Sequence, residues 1–313
     1  MTYVVDRPPQ TAAEFRLPIW LALLVYQSQS AVRRNLQQAA FNAKSVTFFG
    51  HEGPVSLRTD SMKGFLVQGP KGRFLVLRGS DGPFDWAQNL RYELSASGEL
   101  LGGGAGHSGF LETLAVHSPP LLEEIAGYKG PGHQLPLWVV GHSLGGAQAS
   151  LFGYFAAAKG IPVGAVVTFG QPRVANRKLA EQIDSVLGER LVRLVRPEDP
   201  ITHLPPSRSA AEDAAAIFAR LPGARSQEVL SELFRDMDYS HAGQEFELVT
   251  QNQIQQGNGL VDLRDQKFFA ILRQNVLGDI TPGLSIFEKF RLSLGSILSH
   301  RPEGMLCDLK DSL

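Results

Sequence analysis

The stretch Gly141-His142-Ser143-Leu144-Gly145 constrains this chain more than any other. It joins LPLWVV, a compact run of β-branched and aromatic residues that predicts a strand, to GAQASLFGYF, an Ala-rich run that predicts a helix. At a strand-to-helix turn, G-x-S-x-G is the setting in which a serine is held in strained backbone with its hydroxyl presented. Small flanking residues are required, because a β-carbon beside the serine crowds the adjoining elements and any approaching substrate. The helix starting beyond Ser143 brings backbone N–H groups without intrahelical partners and the positive end of its dipole. The Leu144 N–H is therefore a candidate donor to a developing oxyanion.

Around this turn the pattern is α/β. VGAVVTFG and LVRLVR read as further strands, with helical stretches at Gly145 to Lys159 and Arg177 to Leu187 between the runs. FLVQGPKGRFLVLRG reads as two adjacent strands turning at Gly69 to Gly72, and Phe246 to Thr250 as one more strand. Residues 209–240 are rich in Ala, Glu and Arg at helical spacing and predict a helical hairpin inserted near the site mouth, broken at Pro222-Gly223. Residues from about 262 to 298 also read as mostly helical. With no repeat, low-complexity tract or linker composition, a single domain over residues 1–313 is expected.

Composition excludes several classes. Thirty basic side chains against 31 acidic ones leave a formal charge of −1, so bulk electrostatics does not draw the chain to nucleic acid. The single cysteine, Cys307, closes no internal disulfide, and eight scattered histidines offer no zinc-binding spacing. No metal and no cofactor is expected. Gly104 to Gly109 satisfies G-x-G-x-x-G, but no strong strand leads into it, so dinucleotide binding is not expected. No apolar stretch approaches the roughly 20 residues needed to cross a bilayer. Leu17 to Tyr26 is apolar, but the preceding residues balance Asp6 and Glu14 against Arg7 and Arg16. A first helix buried on one face is expected there rather than an export signal. The location expected is cytoplasmic, with secretion left open.

A serine hydroxyl needs a base, and the base a group that orients it. Asp199, in RPEDP just past the strand LVRLVR, is the candidate acid, since such groups are presented at the ends of sheet strands. His142 adjoins the serine and is expected to point away from it. His51, His117 and His133 lie before the serine in what read as Pro/Gly-rich loops, and His203 follows Asp199 by only four residues. His241 and His300 are both late enough to fit the order Ser, Asp, His.

The order and spacing of six short stretches resemble the class 3 (fungal-type) triacylglycerol lipases of the α/β-hydrolase fold: Leu77-Arg78-Gly79-Ser80, His107-Ser108-Gly109-Phe110, VGHSLGG at Val140 to Gly146, TFGQPRV at Thr168 to Val174, DPITHLP at Asp199 to Pro205, and His241-Ala242-Gly243-Gln244-Glu245. The likeness spans about Phe65 to Leu248. It implies a mostly parallel central sheet flanked by helices, Ser143 as nucleophile and Asp199 as acid. It also implies a base nearer the C-terminus, His300, with His241 the alternative. The Ser80 N–H would be the second oxyanion donor beside Leu144, and residues 81–94, with Trp86, would form a lid. The implied activity is hydrolysis of acylglycerols through an acyl-enzyme, in transient contact with a lipid–water interface. A short-chain or aryl esterase or a phospholipase A1 shares this chemistry. A non-enzymatic binding homologue is disfavoured, because competent residues occupy the nucleophile, acid and donor positions. The chain departs from the family pattern in its long stretch Ser209 to Asp238 and after Thr250.

Overall fold

The computed structural model describes residues 7–50, 62–79, 104–128, 132–197, 199–221, 224–250, 253–257 and 261–278, with Gly283 and Lys289. Its strands are β1 (Thr47–Phe49), β2 (Gly64–Gln68), β3 (Arg73–Leu77), β4 (Leu137–His142), β5 (Val163–Phe169), β6 (Ala175–Asn176), β7 (Leu191–Val195), β8 (Tyr239–Ser240), β9 (Gln244–Thr250) and β10 (Gln253–Gln256). Eight of them form one sheet in the order β1-β2-β3-β4-β5-β7-β9-β10, and β6 pairs β8 apart from it. The central five, β3 through β9, run parallel, and antiparallel strands close both sides. The β2–β3 hairpin turns where the glycines place it, with the Gly69 N–H donating to the Gly72 carbonyl at 2.8 Å.

Parallel neighbours require a crossover, and single α-helices provide the first three, while the helices of residues 211–237 span the fourth, between β7 and β9. The single helices are α3 (Ser108–Gly127) between β3 and β4, α4 (Leu144–Ala158) between β4 and β5, and α5 (Arg177–Leu187) between β5 and β7. The remaining helices are α1 (Ala12–Leu24), α2 (Gln29–Gln38), α6 (Ala211–Phe218), α7 (Gln227–Met237) and α8 (Val261–Leu277). Alternation along each strand divides the core between the two faces of the sheet. Phe74 and Val76 of β3 and Trp138 and Val140 of β4 pack with Phe15, Leu17, Ile19 and Leu21 of α1. On the opposite face, Leu75, Leu77, Leu137 and Val139 pack beneath α3, α4, α5 and the helices from α6 onward.

Two expectations need correction. The first helix is not buried on one face alone: Phe15, Leu17, Pro18, Ile19, Leu21, Ala22 and Leu24 are all buried, and α1 shares one apolar cluster with the sheet and with Val32 and Leu36 of α2. His117 is not in a loop but in α3, which runs through Pro119 and Pro120. The prolines forfeit two amide donors, while Phe110, Leu111, Leu114, Leu121, Leu122 and Ile125 keep an apolar stripe against the core that carries the helix past them.

The helical hairpin expected at 209–240 is present as α6 and α7, and Ala211, Ala214 to Ile217, Leu230 and Phe234 bury it in the core. Its break at Pro222-Gly223 lies outside the described residues. Of the helical stretch expected from 262 to 298, α8 forms the described part.

Candidate active site

Ser143 leaves the C-terminal end of β4 at φ 57° and ψ −126°, a conformation an L residue adopts only under strain. The neighbouring backbone enforces it. The Ser143 N–H donates to the Phe169 carbonyl of β5 at 2.9 Å, and the Ser143 carbonyl accepts from Gly146 and Ala147 as α4 begins. The glycines are steric requirements: a β-carbon on Gly141 would lie 2.1 Å from the Gly145 carbonyl oxygen, and one on Gly145 would lie 2.3 Å from that of Leu77. Leu144 is the first residue of α4, where an amide has no carbonyl a turn earlier to receive it.

Asp199 follows β7 and is wholly buried. Its Oδ1 accepts the Ile201 N–H at 3.0 Å, and its carbonyl accepts the Thr202 hydroxyl at 2.8 Å. The sheet sets its relation to the serine. At their C-terminal ends, β4 and β7 flank β5, with Phe169 opposite both His142 and Leu194. Two strand spacings, about 10 Å, therefore separate the strands that deliver the candidate nucleophile and the candidate acid to the same edge of the sheet.

His241 has a different setting. It lies in the short link between β8 and β9, three residues before β9 begins. Its Nε2 is 2.8 Å from the Thr202 carbonyl oxygen, an acceptor, which places the ring proton there. Burial, with the nearby Arg193 and Arg173 cations, pushes this imidazole well below its ordinary range; the Thr202 bond offsets only part of that. The rest of the stretch is likewise engaged. Arg193 of β7 donates to the Ala242 carbonyl at 2.9 Å and to Glu245 at 3.1 Å, and the Gly243 N–H donates to Asp184 at 2.7 Å. Burial alone raises the Glu245 carboxyl, but Arg193 and Arg264 outweigh it and hold the group below its usual range.

A second buried network underlies the acid turn and was not visible in the sequence. Asp265 of α8 accepts from Arg173 Nη1 at 3.2 Å, pairs with His203 Nδ1 at 3.2 Å, and takes both the N–H and the hydroxyl of Ser207. His203 Nε2 in turn faces the Pro197 carbonyl at 3.3 Å, two positions before Asp199. Its ring stacks on Phe268 with centroids 4.3 Å apart. Arg173 also donates to the Pro205 carbonyl at 3.0 Å. TFGQPRV, DPITHLP and α8 are thus fastened to one another beneath the site.

His107 is buried against Phe110, ring centroids 4.5 Å apart, and burial lowers its pKa to about 4. Three expected site residues, Ser80, Trp86 and His300, lie outside the described residues, as does the lid segment 81–94. Among the described residues no cluster of His, Cys, Asp and Glu could hold a metal ion.

Residues 74–209 match the model of the class 3 lipase family. The chain is 29% identical over 130 residues to secreted mono- and diacylglycerol lipase 1 of Fusarium solani, covering 42% of this chain and 38% of that one. It is 31% identical over 176 residues to phospholipase A1 EG1 of Oryza sativa, covering 49% and 40%. It therefore spans about two fifths of the length of these curated relatives. Among solved structures, a mono- and diacylglycerol lipase from Aspergillus oryzae superposes with a TM-score of 0.56 at 22% identity, over 81% of this chain and 88% of that one. The Rhizomucor miehei lipase propeptide complex gives 0.55 at 18% identity, over 91% and 77%. The sheet order and the strand–serine–helix junction agree with the α/β-hydrolase fold of those neighbours. Over residues 74–209, a little under half of its length, the chain thus matches the class 3 lipase family on an α/β-hydrolase fold.

Proposed function

We propose that this chain is a serine carboxylic ester hydrolase acting on acylglycerols. The observation that carries the reading is the strained Ser143 at the β4–α4 junction, on the same sheet edge as the buried Asp199. The Ser143 Oγ attacks the ester carbonyl carbon while the imidazole takes its proton. The carbonyl oxygen, now an oxyanion, accepts from the Leu144 N–H and the Ser80 N–H. Collapse breaks the bond to the alkoxy oxygen, which leaves as the alcohol with the proton from the imidazolium, and the acyl group stays on Ser143. A water then gives a proton to the imidazole and attacks the acyl carbon; the bond to Ser143 Oγ breaks, the imidazolium returns its proton to that oxygen, and the acid is released. Asp199 orients the ring and stabilises its charged form. No cofactor or metal enters these steps.

His300 is the proposed base. In support, the described alternative, His241, already directs Nε2 to the Thr202 carbonyl and stands in an environment that disfavours the imidazolium. The segment 81–94 with Trp86 is the proposed lid, and the helices α6 and α7 are a proposed insertion in a single domain over 1–313. No helix among the described residues is long and apolar enough to cross a membrane, and contact with lipid is proposed as transient. A cytoplasmic location gains no support, since one relative is named a secreted lipase.

A second reading, phospholipase A1, is favoured by the relatives of that name from Oryza sativa and Arabidopsis thaliana. Fluorophosphonate labelling followed by peptide mapping tests the class: adduct on Ser143 is expected, and an unlabelled folded protein contradicts it. Release of fatty acid from triacylglycerol, diacylglycerol, phosphatidylcholine and a p-nitrophenyl ester series then separates lipase, phospholipase and short-chain esterase.

A further inference from the structure

The Tyr26 side chain, just past α1, stands between the two chain segments that meet at Ser143. Its hydroxyl accepts the Gly79 N–H at 3.0 Å and lies 3.0 Å from His142 Nδ1. One hydroxyl serves both contacts, because it carries one donor and two acceptor sites. The ring is gripped as well: the Arg78 guanidinium lies 5.1 Å over its centroid, and the His142 ring meets it edge-on at 6.0 Å. Gly79 is packed tightly into this junction. A β-carbon there would stand 2.7 Å from the Tyr26 hydroxyl, 2.6 Å from the His142 carbonyl oxygen and 3.2 Å from the Ser143 β-carbon.

Tyr26 lies outside residues 74–209, which match the family, yet it bonds to both of the segments that meet at the nucleophile, at Gly79 and at His142. We propose that Tyr26 is a positioning residue that fixes the oxyanion-binding backbone against the elbow, by holding Gly79, whose carbonyl carbon is bonded to the Ser80 nitrogen, in register with His142 and Ser143. The proposal rests on the ester-hydrolase reading above. Donors held in advance stabilise the charge that develops in the transition state more than they aid ground-state binding, so the effect belongs in kcat rather than KM.

Tyr26→Phe keeps the ring and removes the hydroxyl. With p-nitrophenyl esters and active sites counted by fluorophosphonate titration, kcat per titrated site is expected to fall about 10- to 100-fold, less than the loss of a donor itself. KM should stay within about twofold, and the inhibition constant of an alkyl boronic acid, which forms the tetrahedral adduct, should rise by the same factor as kcat falls. A merely structural role would lower the count of titrated sites and leave kcat per site unchanged, and that result overturns the proposal. If Tyr26→Phe does not fold, 3,5-difluorotyrosine at position 26 decides, since its hydroxyl ionises near neutral pH, which alters its bonds to Gly79 and His142 whichever partner of the latter pair donates. A loss of kcat above that ionisation, absent from the wild type, supports the proposal; an unchanged profile overturns it. Wild-type turnover that Ser143→Ala abolishes, together with an unaffected Tyr26→Phe, sinks this inference alone, whereas a wild type without turnover sinks the hydrolase reading and this inference with it.

Discussion

Asp265 on α8 and Arg173, 92 positions earlier, form an ion pair at 3.2 Å with both side chains closed to solvent. Burial alone would raise the Asp265 carboxyl, but Arg173, His203 and Ser207 outweigh it and keep the group below its ordinary range. Removing the carboxylate leaves a guanidinium buried without its counter-ion. Asp265→Ala is therefore expected to cost about 3–5 kcal/mol in denaturant unfolding at neutral pH. Arg173→Met with Asp265→Leu should cost clearly less than the two single changes added together, since neither ion then remains. Additive losses would show that the pair is not coupled.

Acid should destabilise the fold in two stages. The His107 imidazole is at about 4 in the fold and 6.5 when unfolded. Between those values the unfolded chain binds the extra proton, so stability falls as pH drops through that window, by about 3 kcal/mol in total. His241 acts in the same direction. The carboxyls of Asp265 and Glu245, held low in the fold, give up their contribution only at lower pH, beneath their ordinary ranges. Urea unfolding of His107→Leu from pH 7 to pH 4 should show a shallower slope than the wild type, and an equal slope would count against burial as the cause.

Glycines in this chain differ sharply in what they tolerate. A methyl on Gly145 meets the Leu77 backbone, whereas Gly127 at the end of α3 has nothing within 4 Å. Gly145→Ala is expected to destabilise by at least about 1–3 kcal/mol and to abolish hydrolysis, because the elbow must open to admit it. Gly127→Ala should leave both properties intact or gain up to about 1 kcal/mol from helix propensity. Melting curves and ester turnover of the two variants make the comparison.

The base assignment separates two histidines by the kind of loss each shows. His300→Ala should lower kcat by on the order of 10⁴ or more with the fold unchanged. His241→Ala leaves the Thr202 carbonyl unpartnered and should cost about 1–3 kcal/mol of stability while turnover persists. The reverse pattern would transfer the role to His241.

Local chemistry made the elbow legible. Glycines flanking a serine between an apolar strand and an Ala-rich helix admit few other arrangements, and Asp199 stood where a parallel strand ends. Helix α5 and the β2–β3 turn formed where composition placed them. Contacts between distant segments left no such trace. Asp265 lies in DLRDQK, a polar part of the run that reads as mostly helical, yet it is the pivot of a buried network. Tyr26 meets Gly79 across 53 positions and His142 across 116, and neither separation has a period or motif that would announce it. The helix through Pro119 and Pro120 was hidden because local propensity argued for a loop, while the apolar stripe on the core decided otherwise.

The most direct measurement is steady-state hydrolysis of p-nitrophenyl esters by the wild type and by Ser143→Ala, with the fold of both checked by circular dichroism. If the hydroxyl at the β4–α4 junction is the nucleophile, the wild type turns over and the variant loses on the order of 10⁴ or more in kcat at unchanged fold. Equal turnover by the two proteins would contradict the account.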